Sequence, residues 1–370
     1  MLASNVLIFV TALSTLALDF QVPQPEYRPG DRVVVIRDAE LKLPSGVVDE
    51  VWPGLVLKVG VVNDKWLWVS NGKPGWLDKS EVVPLDAKAI DHLSDLIAAN
   101  PEKSRLYSGR AAVWRELGNL ERALADCTNA IRLAPRSAEA YNNRGFMWTE
   151  KEDFEKAIAD FNQAIAIDPN HAPAYDNRGL AWGAQGDYDR ALADHTQAIE
   201  LDSTNGHYHN NRGNVHSAQG DYEKALADFK DAIRLDPHEA VGYNNRGNAH
   251  YFLKNYDKAL IDFNEAIRLD PTDPVAYNSR AVLRASCPDE TFRDGAKAIA
   301  DATKACELTE WNDPEALDTL AAAQAEAGHF TEAVEYAQKA LDLADENSKP
   351  DLQSRLDLYR DHKPFRQPSR

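Results

Sequence analysis

Small and apolar residues recur with a helical spacing from residue 86 towards the C-terminus, and the whole pattern repeats every 34 residues. Glycines mark this period, and alanines follow each of them after 12 and 19 residues. The glycines are Gly145, Gly179, Gly213 and Gly247. Small residues at these positions let two antiparallel helices approach closely, and Pro ends most units because it cannot continue the second helix. The pattern predicts about seven helical hairpins over residues 86–361, with a capping helix at each end.

Residues 25–85 have a different pattern, in which short alternating or apolar runs are separated by turn-forming pairs such as Pro-Gly and Asn-Asp. The runs cover residues 32–37, 55–62 and 65–70. A segment of this length is large enough for a small all-β barrel with little spare core. Trp52, Trp66, Trp68 and Trp76 are predicted to lie mostly in that core, and the alternative is that one of them lines a peptide groove.

Residues 6–18 form a charge-free apolar run of 13 residues. The run is short for a membrane-spanning helix but has the length of a signal-peptide core, and Thr15 and Ala17 offer small side chains before a cleavage site. We therefore expect residues 1–18 to be a signal peptide, the protein to be exported to the periplasm or cell envelope, and the mature protein to have no membrane-spanning domain. The alternatives are an uncleaved anchor and a misplaced start codon, and without a signal the protein would be cytoplasmic.

Two parts of the chain resemble known families. The 34-residue pattern, with Tyr141, Tyr175 and Tyr243 four residues before glycines, resembles the tetratricopeptide repeat (TPR) family. Gly75-Trp76, followed by aliphatic residues, resembles the segment that closes the barrel in bacterial SH3-like domains. The resemblances imply an all-α TPR solenoid over residues 86–361 and an SH3-like β-barrel over residues 25–85. We expect residues 362–370 to form a disordered tail. The combination resembles a bacterial family for which no catalytic activity is implied.

Charge and motifs narrow the range of functions. The net charge of −18 argues against nucleic acid and against an anionic membrane surface, because both repel an acidic protein. The sequence has no nucleophile elbow, phosphate loop or paired-carboxylate motif, so we expect no enzyme activity and no cofactor. His207, His209 and His216 lie on one predicted hairpin without a carboxylate at ligand spacing, so no metal site is expected. Cys287 and Cys306 are predicted not to pair, because the register puts them near opposite ends of a hairpin.

Two charged columns recur with the repeat, an arginine on each first helix and an aspartate on each second helix. The arginines are Arg110, Arg144, Arg178, Arg212, Arg246 and Arg280, and the aspartates are Asp126, Asp160, Asp194, Asp228, Asp262 and Asp301. In the seventh unit these positions are Leu320 and Tyr336, so both charges disappear together. A binding role for arginine would not require the loss of aspartate. We therefore interpret the columns as one partly buried, bidentate ion pair in each hairpin.

A column of asparagines recurs two residues before the glycines. Its members are Asn143, Asn177, Asn211 and Asn245. Asn is disfavoured inside a helix by roughly half a kcal/mol against Ala, so four copies in register need an explanation. On the first helix of a TPR hairpin this position faces the concave surface, and the row resembles the asparagine ladder of O-linked N-acetylglucosamine transferases, which holds substrate backbone. The predicted groove also includes four neighbouring residues, Asn210, Asn214, Asn244 and Asn248.

Two functional hypotheses remain, both without catalysis. In the first, the protein is an interaction scaffold whose concave TPR groove binds an extended peptide or protein segment through amides and a few apolar side chains. In the second, it is a cell-envelope binding module whose SH3-like domain contacts peptidoglycan while the array acts as a spacer. Duplication of one repeat that carried Asn would explain the asparagine column without any binding role.

Overall fold

The computed structural model describes residues 26–43, 46–62, 65–71 and 73–367. The predicted signal peptide at residues 1–18 lies outside these residues and stays a prediction. Across the described part of the chain, every helix is too short or too polar to cross a membrane. The chain divides into two compact units, Met1–Leu133 and Ala134–Arg370, here named the N-terminal unit and the C-terminal unit.

The described part of the N-terminal unit contains a seven-stranded antiparallel sheet. Its strands are β1 (Arg32–Val35), β2 (Ala39–Leu43), β3 (Gly46–Val51), β4 (Val56–Val62), β5 (Trp66–Asn71), β6 (Lys73–Asp78) and β7 (Val82–Pro84). Their order across the sheet is β3-β2-β6-β5-β4-β1-β7. Three of the strands, β1, β4 and β5, correspond to the runs predicted from the sequence. Val33, Leu57, Leu67 and Leu77 are at most 1% exposed and form the centre of the core. The predicted all-β class of this segment is confirmed.

The four tryptophans of this sheet region are not core residues, so that prediction is wrong. Trp52, Trp66, Trp68 and Trp76 are all partly exposed. Successive side chains of a strand point to opposite faces, and on β5 and β6 the aliphatic residues next to the tryptophans, Leu67, Val69 and Leu77, take the buried face. Trp68 and Trp76 pair across the two strands with ring centroids 5.2 Å apart. The indoles therefore form part of a surface.

Sixteen helices follow the sheet within the described residues. Those of the N-terminal unit are α1 (Ala87–Ala99), α2 (Ser104–Glu116) and α3 (Leu120–Leu133). Those of the C-terminal unit are α4 (Ala138–Glu150), α5 (Phe154–Ile167), α6 (Ala172–Ala184), α7 (Tyr188–Leu201), α8 (Gly206–Ala218), α9 (Tyr222–Leu235), α10 (Ala240–Phe252), α11 (Tyr256–Leu269), α12 (Pro274–Ser286), α13 (Gly295–Leu308), α14 (Pro314–Glu326), α15 (Phe330–Leu343) and α16 (Lys349–Arg360). Helices α2 to α15 form seven antiparallel hairpins, and the predicted solenoid is confirmed.

Small residues at the helix crossings make the hairpins tight. A Cβ added at Gly145 would lie 2.6 Å from the ring of Phe161, and Gly213 and Gly247 approach phenylalanine rings equally closely. In the hairpin of α6 and α7 the ring beside Gly179 is that of His195 instead. Consecutive first helices of the C-terminal unit, from α4 to α14, also contact each other. Their faces therefore combine into one surface along the array.

The predicted arginine–aspartate ion pairs are present in the six hairpins from α2/α3 to α12/α13. Each arginine donates from Nε and Nη2 to both oxygens of its aspartate at 2.6–3.0 Å. All six aspartates are buried, so each carboxylate needs a compensating positive charge, and Asp301 accepts from Arg284 as well as from Arg280. The two columns therefore have a structural role within the hairpins.

Apolar contacts join the last hairpin to the capping helix α16 at the C-terminal end of the array. Leu317 and Leu320 of α14 are buried in one cluster with Leu356 and Tyr359 of the capping helix α16. Cys287 and Cys306 do not form a disulfide bond with each other, and both thiols are buried. Residues 363–367, which the sequence assigns to a disordered tail, lie against the array, and the backbone N–H of Gln367 donates to the carbonyl of Ser286 at 3.0 Å.

Candidate protein-binding surface

The asparagine column lies on the first helices of four consecutive hairpins in the C-terminal unit. Asn143, Asn177, Asn211 and Asn245 are on α4, α6, α8 and α10, and each side chain is partly buried. Positions three residues apart share a helix face, so the residue after each glycine lies next to the asparagine. These neighbours are Phe146, Leu180, Asn214 and Asn248. Leu180 and Asn214 are exposed, and the other two are partly exposed.

The column also connects successive hairpins, which the sequence analysis did not predict. The side-chain amide of Asn177 donates to Asn142 Oδ1 at 3.0 Å, and that of Asn245 donates to Asn210 Oδ1 at the same distance. Asn211 donates to Asp176 Oδ2 at 2.9 Å. The recurrent separation of donor and acceptor by 35 residues was visible in the sequence as a second polar column directly before the first. Each of these three amides therefore has a structural contact in addition to any role in binding.

The hydrogen bonds that the asparagine column makes between successive hairpins end at α12, where the column also ends. Position 279 is Ser, and the side-chain oxygen Oδ1 of Asn244, one repeat earlier, is buried without a hydrogen-bond partner among the described residues. Asn244 is 4% exposed, so it does not lie on the exposed face on which the sequence analysis placed it. Asn210 is partly buried and accepts the bond from Asn245. The exposed part of the candidate surface is therefore the asparagine column and its neighbours three residues on.

A buried histidine–carboxylate pair replaces the usual residues in the hairpin of α6 and α7. His195 is 0% exposed, and its Nδ1 lies 2.7 Å from Asp176 Oδ1. Phe161 and Asn142 occupy the matching positions in the preceding hairpin. Asp176 thus contacts a ring nitrogen of its own hairpin and accepts from Asn211 of the next one. This pair belongs to the packing between hairpins.

Apolar side chains extend the surface. Val241 and Phe252 on α10 are 45% and 51% exposed, and Val275 on α12 is 55% exposed. The ring of Phe252 stacks on Tyr222 with centroids 4.7 Å apart and meets Tyr251 edge-on. Phe252, Tyr222 and Tyr251 therefore form a small aromatic cluster beside the asparagine column.

Two of the three histidines of α8 lie near the aspartate of their hairpin. His209 Nδ1 and His216 Nε2 lie 3.8 Å and 3.9 Å from the oxygens of Asp228, which already accepts from Arg212. Burial lowers the pKa of His209 and that of His216 despite this carboxylate, which favours their neutral forms. No group of three or more candidate metal ligands occurs among the described residues.

Comparisons with known proteins agree with this architecture. A family model of the tetratricopeptide repeat matches residues 87–135, 177–240 and 210–274, and a second model of the same repeat matches residues 138–171. No curated protein sequence matches the chain.

Solved structures similar to the chain include Cut9 with Hcn1 in an APC/C hetero-tetramer and the yeast protein Tom70. The first has a TM-score of 0.60 at 16% identity, over 73% of this chain and 52% of that one. The second has a TM-score of 0.54 at 21% identity, over 74% of this chain and 58% of that one. The chain thus spans just over half the length of either protein, and at these identities the likeness concerns the fold. The matched helical hairpins of this chain are tetratricopeptide repeats.

Proposed function

We propose that the protein is a non-catalytic scaffold whose first-helix surface holds an extended segment of a partner protein. One observation carries this proposal: four consecutive first helices present a partly exposed amide and, three residues on, a second side chain on the same face. TPR arrays are protein-interaction folds, which supports the general class. The regular spacing of the amides supports an extended ligand.

The asparagines retain hydrogen-bonding capacity after they connect the hairpins. A primary amide has two N–H donors and an oxygen that accepts two bonds. Asn177 and Asn245 each use one N–H for the acceptor of the preceding hairpin. The second N–H and the oxygen can then pair with the backbone carbonyl and N–H groups of an extended segment. Leu180, Val241 and Phe252 would contact its apolar side chains.

The test must separate binding by the amides from their contribution to stability. The donor variant Asn177→Ala/Asn245→Ala and the acceptor variant Asn142→Ala/Asn210→Ala remove the same two inter-hairpin bonds. The acceptor variant keeps the surface amides, so it is the matched control. In a pull-down with the tagged full-length protein, we expect the donor variant to lose partners that the wild type and the acceptor variant retain.

Two results of the pull-down would contradict binding of the partner by the asparagine amides. If both variants capture the same partners as the wild type, the amides do not bind the ligand and the proposal for this surface fails. If both lose partners equally while their melting temperatures fall together, the asparagines act only through stability. Circular dichroism melting of each variant supplies that comparison.

A second candidate function concerns the β-sheet, for which we propose an SH3-like role in contact with peptidoglycan. The partly exposed indoles of Trp66, Trp68 and Trp76 favour it, since aromatic residues are enriched in contact surfaces. We expect Trp66→Ala/Trp76→Ala to abolish retention of the full-length protein on murein sacculi, with Trp52→Ala as control. This role would be contradicted if the wild type and both variants were retained to the same extent. It would also be contradicted if the sacculi retained none of the three proteins.

We also propose that residues 1–18 direct export of the protein, under either candidate function. N-terminal sequencing of the protein from fractionated cells tests it directly. A mature N-terminus near residue 19 in the cell envelope supports export, and an intact Met1 in the cytoplasm contradicts it.

A further inference from the structure

The backbone turns back on itself after the last helix. His362 adopts a left-handed conformation with φ of 55°, and the backbone N–H groups of His362 and Lys363 donate to Tyr359 and Leu358 of α16. This is the hydrogen-bond pattern of a helix end that reverses the direction of the backbone. Pro364 cannot continue a helix. Residues 363–367, here named the tail, therefore run without helical structure across the C-terminal ends of first helices.

The polar contacts of the tail use groups that helix ends leave unpaired. The last carbonyls of a helix lack partners within it, and the backbone N–H of Gln367 donates to the carbonyl of Ser286, the last residue of α12. Arg366 Nη2 lies 2.5 Å from Glu326 Oε2 at the end of α14, where the helix dipole also favours a cation. The side chain of Glu326 is 14% exposed, and its other carboxylate oxygen, Oε1, accepts a hydrogen bond from Arg293 Nε at 3.1 Å. The Ser286 carbonyl and the Glu326 carboxylate therefore favour a ligand that offers a backbone N–H and a basic side chain.

The apolar contact of the tail is made by one ring. Phe365 packs against the cluster around α14 and α16, and the guanidinium of Arg355 lies over its ring at 4.7 Å. Between the tail and the aromatic side chains of Tyr251, Phe252 and Tyr256 a cavity of about 420 Å³ remains. The tail therefore occupies this surface without filling it.

We propose that this surface, here named the tail site and formed by the ends of α12 and α14 with the adjoining cavity, binds an extended segment of a partner protein in which an aromatic residue precedes Arg or Lys. The tail occupies the site until such a segment displaces it. The inference rests on the proposed function and adds the sequence of the recognised segment. The protein's own Phe365-Arg366 defines that sequence, because its ring, its charge and the following N–H make the three contacts described.

The tail competes with any partner segment for the tail site because it is covalently attached beside that site. A segment joined by a short connection has an effective concentration on the order of millimolar, so a free peptide with identical contacts competes poorly. A partner segment can bind in place of the tail because it makes additional contacts in the cavity beside Phe252, which the tail leaves unfilled. Disabling the tail removes the competitor and leaves the site itself unchanged.

The experiment uses the full-length protein and a fluorescent peptide with the sequence of residues 362–370. Fluorescence anisotropy gives the affinity for the wild type, for Phe365→Ala/Arg366→Glu and for Arg366→Glu alone, which replaces the ion pair with Glu326 by two like charges. We expect both tail variants to bind the peptide at least ten-fold more tightly than the wild type. Lys363→Ala is the matched control, since its side chain pairs only with the exposed Asp361, and it should behave as the wild type.

The peptide itself supplies variants that cannot affect folding. A peptide with Phe365→Ala or Arg366→Glu should bind the Arg366→Glu protein at least ten-fold more weakly than the natural peptide. Absence of peptide binding to an Arg366→Glu protein that melts as the wild type does, or equal affinity for wild type and variant, overturns the proposal. The Asn177→Ala/Asn245→Ala protein keeps the tail site, so loss of its partners tests the first-helix surface separately.

Discussion

The hairpin of α10 and α11 and the last hairpin, α14 and α15, share a backbone plan but are joined differently. In the first, Arg246 donates two hydrogen bonds to Asp262, which is 4% exposed. In the second, the matching positions are Leu320 and Tyr336, and Leu320 packs beneath α16. The difference shows that the ion pair is not required to form a hairpin. Where it occurs, it penalises any arrangement of the helices that separates the two charges.

The largest effect should come from breaking the pair on one side. Asp262→Ala leaves Arg246 without its carboxylate, and we expect the free energy of unfolding to fall by about 3 kcal/mol. Urea unfolding of the full-length protein, followed by circular dichroism, measures the change. The double variant Arg246→Leu/Asp262→Tyr copies the last hairpin and should lose less than half as much, because no charge is left unpaired. An equal or greater loss in the double variant would refute this explanation.

A smaller loss is expected in the hairpin that contains the buried histidine. His195→Phe removes the ring nitrogen from Asp176 and leaves this buried carboxylate with Asn211 alone, at a cost of about 2 kcal/mol. His195→Phe/Asp176→Asn reproduces the residues of the preceding hairpin and should return stability to within about 1 kcal/mol of the wild type. Thermal unfolding monitored by circular dichroism distinguishes them. If the single variant is as stable as the double, the histidine contact contributes nothing.

The repeat period explains why much of the fold was predictable and part of the site was not. Arg246 and Asp262 recur in register, so one pairing rule accounted for six hairpins. The bond from Asn245 to Asn210 joins different repeats, and the sequence does not state which faces of neighbouring hairpins meet. The tryptophans were misplaced for another reason. Four indoles in a small domain with little spare core suggested burial, whereas strand alternation gave the core to the neighbouring aliphatic residues.

The point at which the asparagine column ends offers a gain in stability. Asn244 Oδ1 is buried without a partner among the described residues, and Ser279 stands where the next donor would be. Ser279→Asn should supply the missing N–H and raise the free energy of unfolding by about 1 kcal/mol. Ser279→Ala is the control and should give no increase. A urea midpoint for Ser279→Asn at or below that of the control would show that the donor position is not reproduced at α12.

The smallest effect concerns pH and again compares two hairpins. Burial holds the pKa of His209 and that of His216 below the ordinary value of 6.5, so the unfolded protein binds protons that the folded protein does not as the pH falls below that value. Stability should therefore decrease from pH 7 towards pH 5.5. Tyr243 occupies the place of His209 in the hairpin of α10 and α11, and His209→Tyr should make the decrease in melting temperature shallower. An unchanged slope would mean that His209 does not contribute to the pH dependence in this range.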